Sequence, residues 1–230
     1  MTAPQKTKGL VIVGDSAFAE IACEYFSLQS AYEVVGFSVE QAYLKQERLL
    51  ERPIVPFETL PNHFPPGTHD VYVAITYRQL NRVRARLARA AKEAGYSLAG
   101  FVSPHALVWP NATIGEHCFI FENNVVQPFV TLGDNVVLWS GNHVGHHTRV
   151  GDNVFVSSHV VISGFCDIGA NCFLGVNAAI GNNLSVGKDC WIGPGAVVST
   201  DLGEGRIYRA AKGETAKIGA LRFFKVEDRS

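Results

Sequence analysis

Neither sign of charge is in surplus in this chain: 20 lysines and arginines stand against 21 aspartates and glutamates, a formal net charge of -1. That leaves no electrostatic footprint for nucleic acid or for an anionic membrane surface. Long apolar runs are missing too. None approaches the roughly 18 residues a membrane span needs, and the first residues lack the basic and apolar regions of a signal peptide. The expectation is a cytoplasmic protein without membrane insertion. Cysteine is scarce, and four of the five, Cys118, Cys166, Cys172 and Cys190, fall at one position of the repeat described below. Their spacing therefore reflects packing rather than metal chelation or disulfides, and Cys23, on an expected helix, reads as core. With 230 residues and 47% hydrophobic content, the chain has room for two small domains.

What is present in abundance is a period of six. Sixteen consecutive hexapeptides run from Ala106 to Asp201, and the third residue of each is aliphatic, from Val108, Ile114 and Ile120 through to Ile192 and Val198. A six-residue period fits neither an amphipathic helix nor strand alternation; it is the mark of a parallel β-helix in which each hexad makes one short side of a triangular coil. The residue two before the aliphatic one is mostly small, as at Ala106, Ala112, Cys118, Cys166 and Ala196, which suits a narrow interior.

Residues 1–104 read differently. The apolar run Gly9 to Val13 ends at Gly14-Asp15-Ser16 and leads into a helix from about Ala17 to Leu28. Strands follow at Glu33–Val39, Asp70–Ile75 and Leu98–Val102, with a helix over Leu80–Gly95 whose arginines suggest a solvated face. This alternation implies a parallel sheet of about four strands, half of a Rossmann-like unit. The turn Gly14-Asp15-Ser16 can receive a diphosphate on the N–H groups of the helix start. It lacks the full glycine fingerprint, so a tight turn with Asp15 or Ser16 capping the helix is the competing reading. The expected organisation is 1–104, 105–201 and a C-terminal segment 202–230.

Sorting the hexads by place in the coil gives three outward faces. One is polar, with Thr113, Thr131, Arg149, Asp167 and Ser185. The next presents Phe119, Val137, Phe155, Phe173 and Trp191, and the third Leu107, Val125, His143, Val161, Ala179 and Val197. Two apolar faces on one prism predict contacts with partner subunits, and because the faces differ, closure by rotation into a homotrimer.

Four of the eight histidines, His143, His146, His147 and His159, lie within about one coil. His146 and His147 fall at the corner between an apolar and the polar face, where an imidazole can serve as a general base near neutral pH. His159 falls at the corner between the two apolar faces and reads as structural. A zinc site of the gamma carbonic anhydrase kind is disfavoured: the spacings in the cluster are 3, 1 and 12, and two coils from His146 stand Pro110 and Asn182. No metal is expected.

The stretch Val144-Gly145-His146-His147-Thr148-Arg149-Val150-Gly151-Asp152, the linker Val102-Ser103-Pro104-His105-Ala106 and the N-terminal half together resemble a known family. It comprises left-handed β-helix acyltransferases that modify nucleotide-linked sugars, such as the bacillosamine-pathway and perosamine N-acetyltransferases and the sialic acid O-acetyltransferases. The resemblance implies acetyl-CoA as cosubstrate and the amine of a nucleotide-linked amino sugar as acceptor, in bacterial surface glycan biosynthesis. It places His146 on the catalytic base and Gly164, one coil on, on the residue whose N–H faces the thioester carbonyl. It runs the cofactor past Val176, Gly193 and Gly195 toward Arg209 or Lys212, and sets the nucleotide at Gly14, Asp15, Ser16 and Ser38.

The chain departs from the pattern in places. Relatives carry Asp or Glu after the catalytic histidine, where this chain has His147; they carry acidic residues on the second strand, where it has Gly36-Phe37-Ser38-Val39-Glu40; and it has Ile207-Tyr208-Arg209-Ala210-Ala211-Lys212 in place of a Gly-Asn-Pro-Ala-Lys segment near the cofactor. An O-acetyltransferase, a zinc-dependent hydratase and a non-catalytic trimeric scaffold remain alternatives at this point.

Overall fold

A computed structural model describes residues 5–226. The N-terminal domain comprises β1 (Lys8–Val13), α1 (Ala17–Gln29), β2 (Tyr32–Val39), β3 (Arg48–Leu49), β4 (Arg52–Pro56), α2 (Leu60–His63), β5 (His69–Val73) and α3 (Arg82–Glu93). Its sheet runs β3-β4-β2-β1-β5, parallel except for the β3–β4 pair. Leu10 to Val13 are buried without alternation, as a strand covered on both faces requires. One face packs α3 through Leu87, Ala88 and Ala91; the other packs α1 through Phe18, Ala22 and Phe26. The strand expected at Leu98–Val102 divides: Leu98 makes a bridge to Val71, whereas β6 (Phe101–Val102) leaves the sheet and pairs with Phe119–Ile120.

β6 is thereby the first rung of the left-handed β-helix. Three parallel sheets form its sides, of six, five and seven strands. Partners lie one 18-residue coil apart, as in His143↔Val161 and Arg149↔Asp167. The expected aliphatic residues fill the axis with the small residues, Cys166, Cys172 and Cys190 among them. The last strand, Ile207–Tyr208, carries the prism beyond the hexads read from the sequence.

Each corner from His117 to Gly195 turns through a left-handed residue, which costs about 1–2 kcal/mol for most L-residues. Asparagine tolerates it, and Asn123, Asn135, Asn153, Asn171, Asn177 and Asn183 all have φ near 60°. His117, Phe129, His147, His159 and Phe165 hold the same conformation without that tolerance in full.

The aromatic face does not await a partner subunit. It is the docking surface for the chain's own N-terminal domain, which corrects the expectation of two intersubunit faces: Phe119, Val137, Phe155 and Phe173 are buried in one cluster with Phe18, Phe26 and Tyr72. The N-terminal domain is the covering element closest at hand in the chain. The face bearing Leu107, Val161 and Val197 stays exposed.

A second correction concerns the α3 arginines. Arg84 is fully buried rather than solvated. It donates to Asn135 Oδ1 (3.0 Å), to the carbonyls of Asn135 (3.2 Å) and Asn153 (2.9 Å), and to Ile75 O, Thr76 O and Asn81 Oδ1. Asn81 donates to the carbonyls of Asn171 and Cys172, anchoring a left-handed turn in which Gln79, Leu80 and Asn81 have φ of 50°, 52° and 67°. Arg82 pairs with Asp189 at 2.7 Å. The start of α3 therefore lies along the asparagine corner Asn135–Asn153–Asn171, whose side-chain amides are themselves hydrogen-bonded in a ladder.

Candidate active site

The first site component is a cleft of about 400 Å³ at the carboxyl ends of β1, β2 and β5. Sheet order reverses between β2 and β5 about β1, which is where open parallel sheets bind ligands. Gly14 and Asp15 line it as expected, with Glu40, Tyr43, Lys45, Arg78 and Gln79. Gly14 has φ 129°, and a Cβ there would meet Ala74 O at 2.9 Å, so only glycine fits. Ser16 occupies the α1 N-cap without a side-chain cap hydrogen bond, so the capping reading does not hold for it. Ser38 is fully buried, and its hydroxyl has no hydrogen-bond partner among the described residues; it lies beside the cleft-lining Val39 rather than in the lining itself.

Glu40 and Arg86 close one side as a bidentate pair at 2.8 and 2.9 Å, and the guanidinium holds the Glu40 carboxyl below its ordinary range. The cations left facing the cleft are Lys45 and Arg78. Sequence reasoning missed Tyr43, Lys45 and Arg78 because they sit in a short 3-10 turn and in loops without a pattern; their place just after the ends of β2 and β5 was the available signal.

The second component is the corner between the His143–Val144 and Arg149–Val150 strands. His146 and His147 are both exposed there, with Nδ1 to Nδ1 at 3.2 Å. The His146 backbone N–H donates to Gln127 Oε1 at 2.9 Å, and the ring Nε2 makes no hydrogen bond among the described residues. The His146 ring lies over Gly164: a Cβ at 164 would fall 2.8 Å from its Cε1 and 3.0 Å from Nε2. Gly164 is thus needed for room. Its N–H donates to Asn182 Oδ1 at 3.0 Å, so the expected oxyanion donor is occupied, and an acyl oxygen would have to displace that amide.

His159 lies at the corner between the aromatic and exposed apolar faces, with its ring over Gly141. Val176, Gly193 and Gly195 share that second corner, so one chain does not bring them to His146; the exposed apolar face separates them. Arg209 lines a groove with Leu80, Asp189, Trp191 and Ile207, and Lys212 is exposed beyond the last strand. Among the described residues no three His, Cys, Asp or Glu side chains converge as a metal site, and no helix is long and apolar enough to cross a membrane.

The bacterial transferase hexapeptide family (six repeats) matches residues 111–146 and 129–164, and the hexapeptide repeat of succinyl-transferase matches 167–184 and 183–206. Both matches fall within the β-helix.

Among solved structures, perosamine N-acetyltransferase from Caulobacter crescentus is 25% identical with a TM-score of 0.80, covering 90% of this chain and 96% of its own. The acetyltransferase domain of PglB from Neisseria gonorrhoeae FA1090 is 24% identical with a TM-score of 0.79, covering 89% and 97%. WeeI from Acinetobacter baumannii AYE is 20% identical with a TM-score of 0.67, covering 87% and 96%. A comparison with curated protein sequences gave no match. The chain shares with these acetyltransferases the fold of a small N-terminal α/β domain followed by a β-helix of hexapeptide repeats.

Proposed function

We propose that the protein transfers an acetyl group from acetyl-CoA to the amine of a nucleotide-linked amino sugar, with His146 as general base. The observation that carries this is the His146 imidazole, seated over Gly164 on an open corner with Nε2 unengaged. The gonococcal PglB domain has been solved with acetyl coenzyme A, and the Caulobacter enzyme with CoA and GDP-perosamine. The cleft at Gly14 suits the nucleotide, with its diphosphate toward the α1 N-terminus, Lys45 and Arg78.

In the reaction the neutral amine attacks the thioester carbonyl, and a C–N bond forms. Its proton passes to His146 Nε2, the C–S bond breaks, and the CoA thiolate takes up a proton. The Gly164 N–H stabilises the oxyanion once the acyl oxygen replaces Asn182 Oδ1.

His146 and the docked N-terminal domain lie on opposite sides of the prism, because the corner it occupies faces away from the aromatic side. A homotrimer with the Leu107–Val161–Val197 face turned inward sets the His146 corner of one copy beside the Val176 corner and the nucleotide cleft of the next. The site is then composite.

Release of free thiol from acetyl-CoA with a panel of nucleotide-linked amino sugars tests the reading. His146→Asn should lose about 10²- to 10⁴-fold in turnover while CoA binding persists. Full turnover in that variant, or none with any acceptor in the wild type, would overturn it.

A further inference from the structure

At the corner that bears His146, three rings stand in a column, one per coil. His147 is stacked on Phe129 (4.6 Å between centroids, 30° between planes) and on Phe165 (4.8 Å, 16°). Phe165 also meets His146 edge-on at 5.0 Å. All three column residues hold left-handed backbone, with φ of 63°, 57° and 57° for Phe129, His147 and Phe165. Corners elsewhere mostly carry asparagine, as at Asn123, Asn135 and Asn153, and phenylalanine lacks the tolerance for this conformation that asparagine and histidine have. A bulky side chain in this conformation is strained, and here the two outer rings also stay more than half exposed, at 57% and 55%. Turn geometry does not account for the column.

The contact it holds is the one between His146 Nδ1 and His147 Nδ1 at 3.2 Å. Such a bond needs one N–H and one lone pair. A base acting through Nε2 carries its own proton on Nδ1, so His146 is the donor, and His147 accepts at Nδ1 with its proton on Nε2. We propose that His147 is a positioning residue, a neutral imidazole clamped between Phe129 and Phe165 that fixes His146 in the Nδ1–H tautomer and leaves its Nε2 basic. This rests on the reading of His146 as the base. It fills without charge the place where a carboxylate would orient the imidazole.

No carboxylate is hydrogen-bonded or ion-paired to either ring among the described residues. The neighbouring polar groups are Gln127 and Asn182, His143 on the preceding strand, and Arg149, which pairs with Asp167 at 3.3 Å on the next face.

The tautomers are read without turnover by imidazole nitrogen NMR on the intact protein. His146 should show a protonated Nδ1 and a bare Nε2, and His147 the reverse; a His146 protonated at Nε2 would overturn the proposal. Kinetics supply the second arm. His147→Asn keeps a left-handed residue and a carbonyl acceptor, and should retain turnover within about threefold. His147→Phe, a side chain this corner already bears at Phe129 and Phe165, keeps the stack and removes the acceptor; it should lose about tenfold or more in kcat. His147→Asp should move the acid limb of the kcat/KM profile up by about one pH unit, because its charge favours the imidazolium. A turn residue with no tie to His146 predicts full activity in His147→Phe and an unmoved limb in His147→Asp. Full activity in His146→Asn would instead overturn the base assignment, whatever the tautomers.

Discussion

His117 and His146 are both histidines of the β-helix corners, and their surroundings give them opposite uses. His117 is buried between the domains, where Nδ1 donates to Ala99 O at 2.8 Å and Nε2 accepts the Val73 N–H at 3.3 Å. Burial pushes its pKa down to about 4, with the Ala99 carbonyl opposing. A group whose folded pKa is depressed in this way contributes stability above its unfolded value near 6.5, and that stability is lost as pH falls toward 4. The full effect is about 3 kcal/mol. Urea melts between pH 7 and pH 4 should show the loss in the wild type and a flatter profile over that window in His117→Asn; parallel profiles would contradict it. His146 has the reverse setting, exposed and with one nitrogen bare. Its candidacy was legible because the hexad register put it at a corner facing the polar side. The engagement of Gly164 N–H by Asn182 was not read, although the 18-residue coil stacks the two residues. Tyr43, Lys45 and Arg78 were illegible for a different reason: loop residues converge only after the sheet order is known.

At the scale of elements, the aromatic rungs show what a repeat pattern can and cannot say. The alternation made Phe119, Phe155 and Phe173 outward and apolar, but outwardness does not name the covering surface. The cover is α1 and β5 of the same chain, with Arg84 reaching across from α3 and its guanidinium 5.8 Å from the Phe155 ring centre. The arginines of α3 looked solvated because helical spacing alone cannot reveal an asparagine corner far along the chain that supplies acceptors. Phe155→Lys sets a second cation beside the buried Arg84 guanidinium at this seam and should cost several kcal/mol. The prism has a separate core, so the expected outcome is undocking: limited proteolysis should reach residues 5–100 while the β-helix persists. Dissociation into monomers whose N-terminal domain stays protected would instead make the aromatic face intersubunit.

For the whole molecule, the period of six carried most of the architecture, since each hexad closes one side of a coil and three return the chain to its starting face. Both ends of the prism lay outside that pattern. Phe101–Val102 looked like a strand of the preceding sheet, and Ile207–Tyr208 follows a break in the hexads. The separation of the Gly14 cleft and His146 on opposite sides of one prism is a property of the assembled fold, which neither half of the sequence contains. It makes subunit mixing the most direct measurement. One variant is His146→Asn; the other carries Lys45→Glu with Arg78→Glu, exposed changes that reverse the charge of the cleft. Each should be nearly inactive alone in the thiol-release assay. Equal amounts, dissociated and reassembled together, should regain about a quarter of wild-type turnover, because in a cyclic trimer that fraction of sites pairs an intact cleft with a neighbour's intact His146. Mixed oligomers as inactive as their parents would contradict an acetyl transfer site shared between copies.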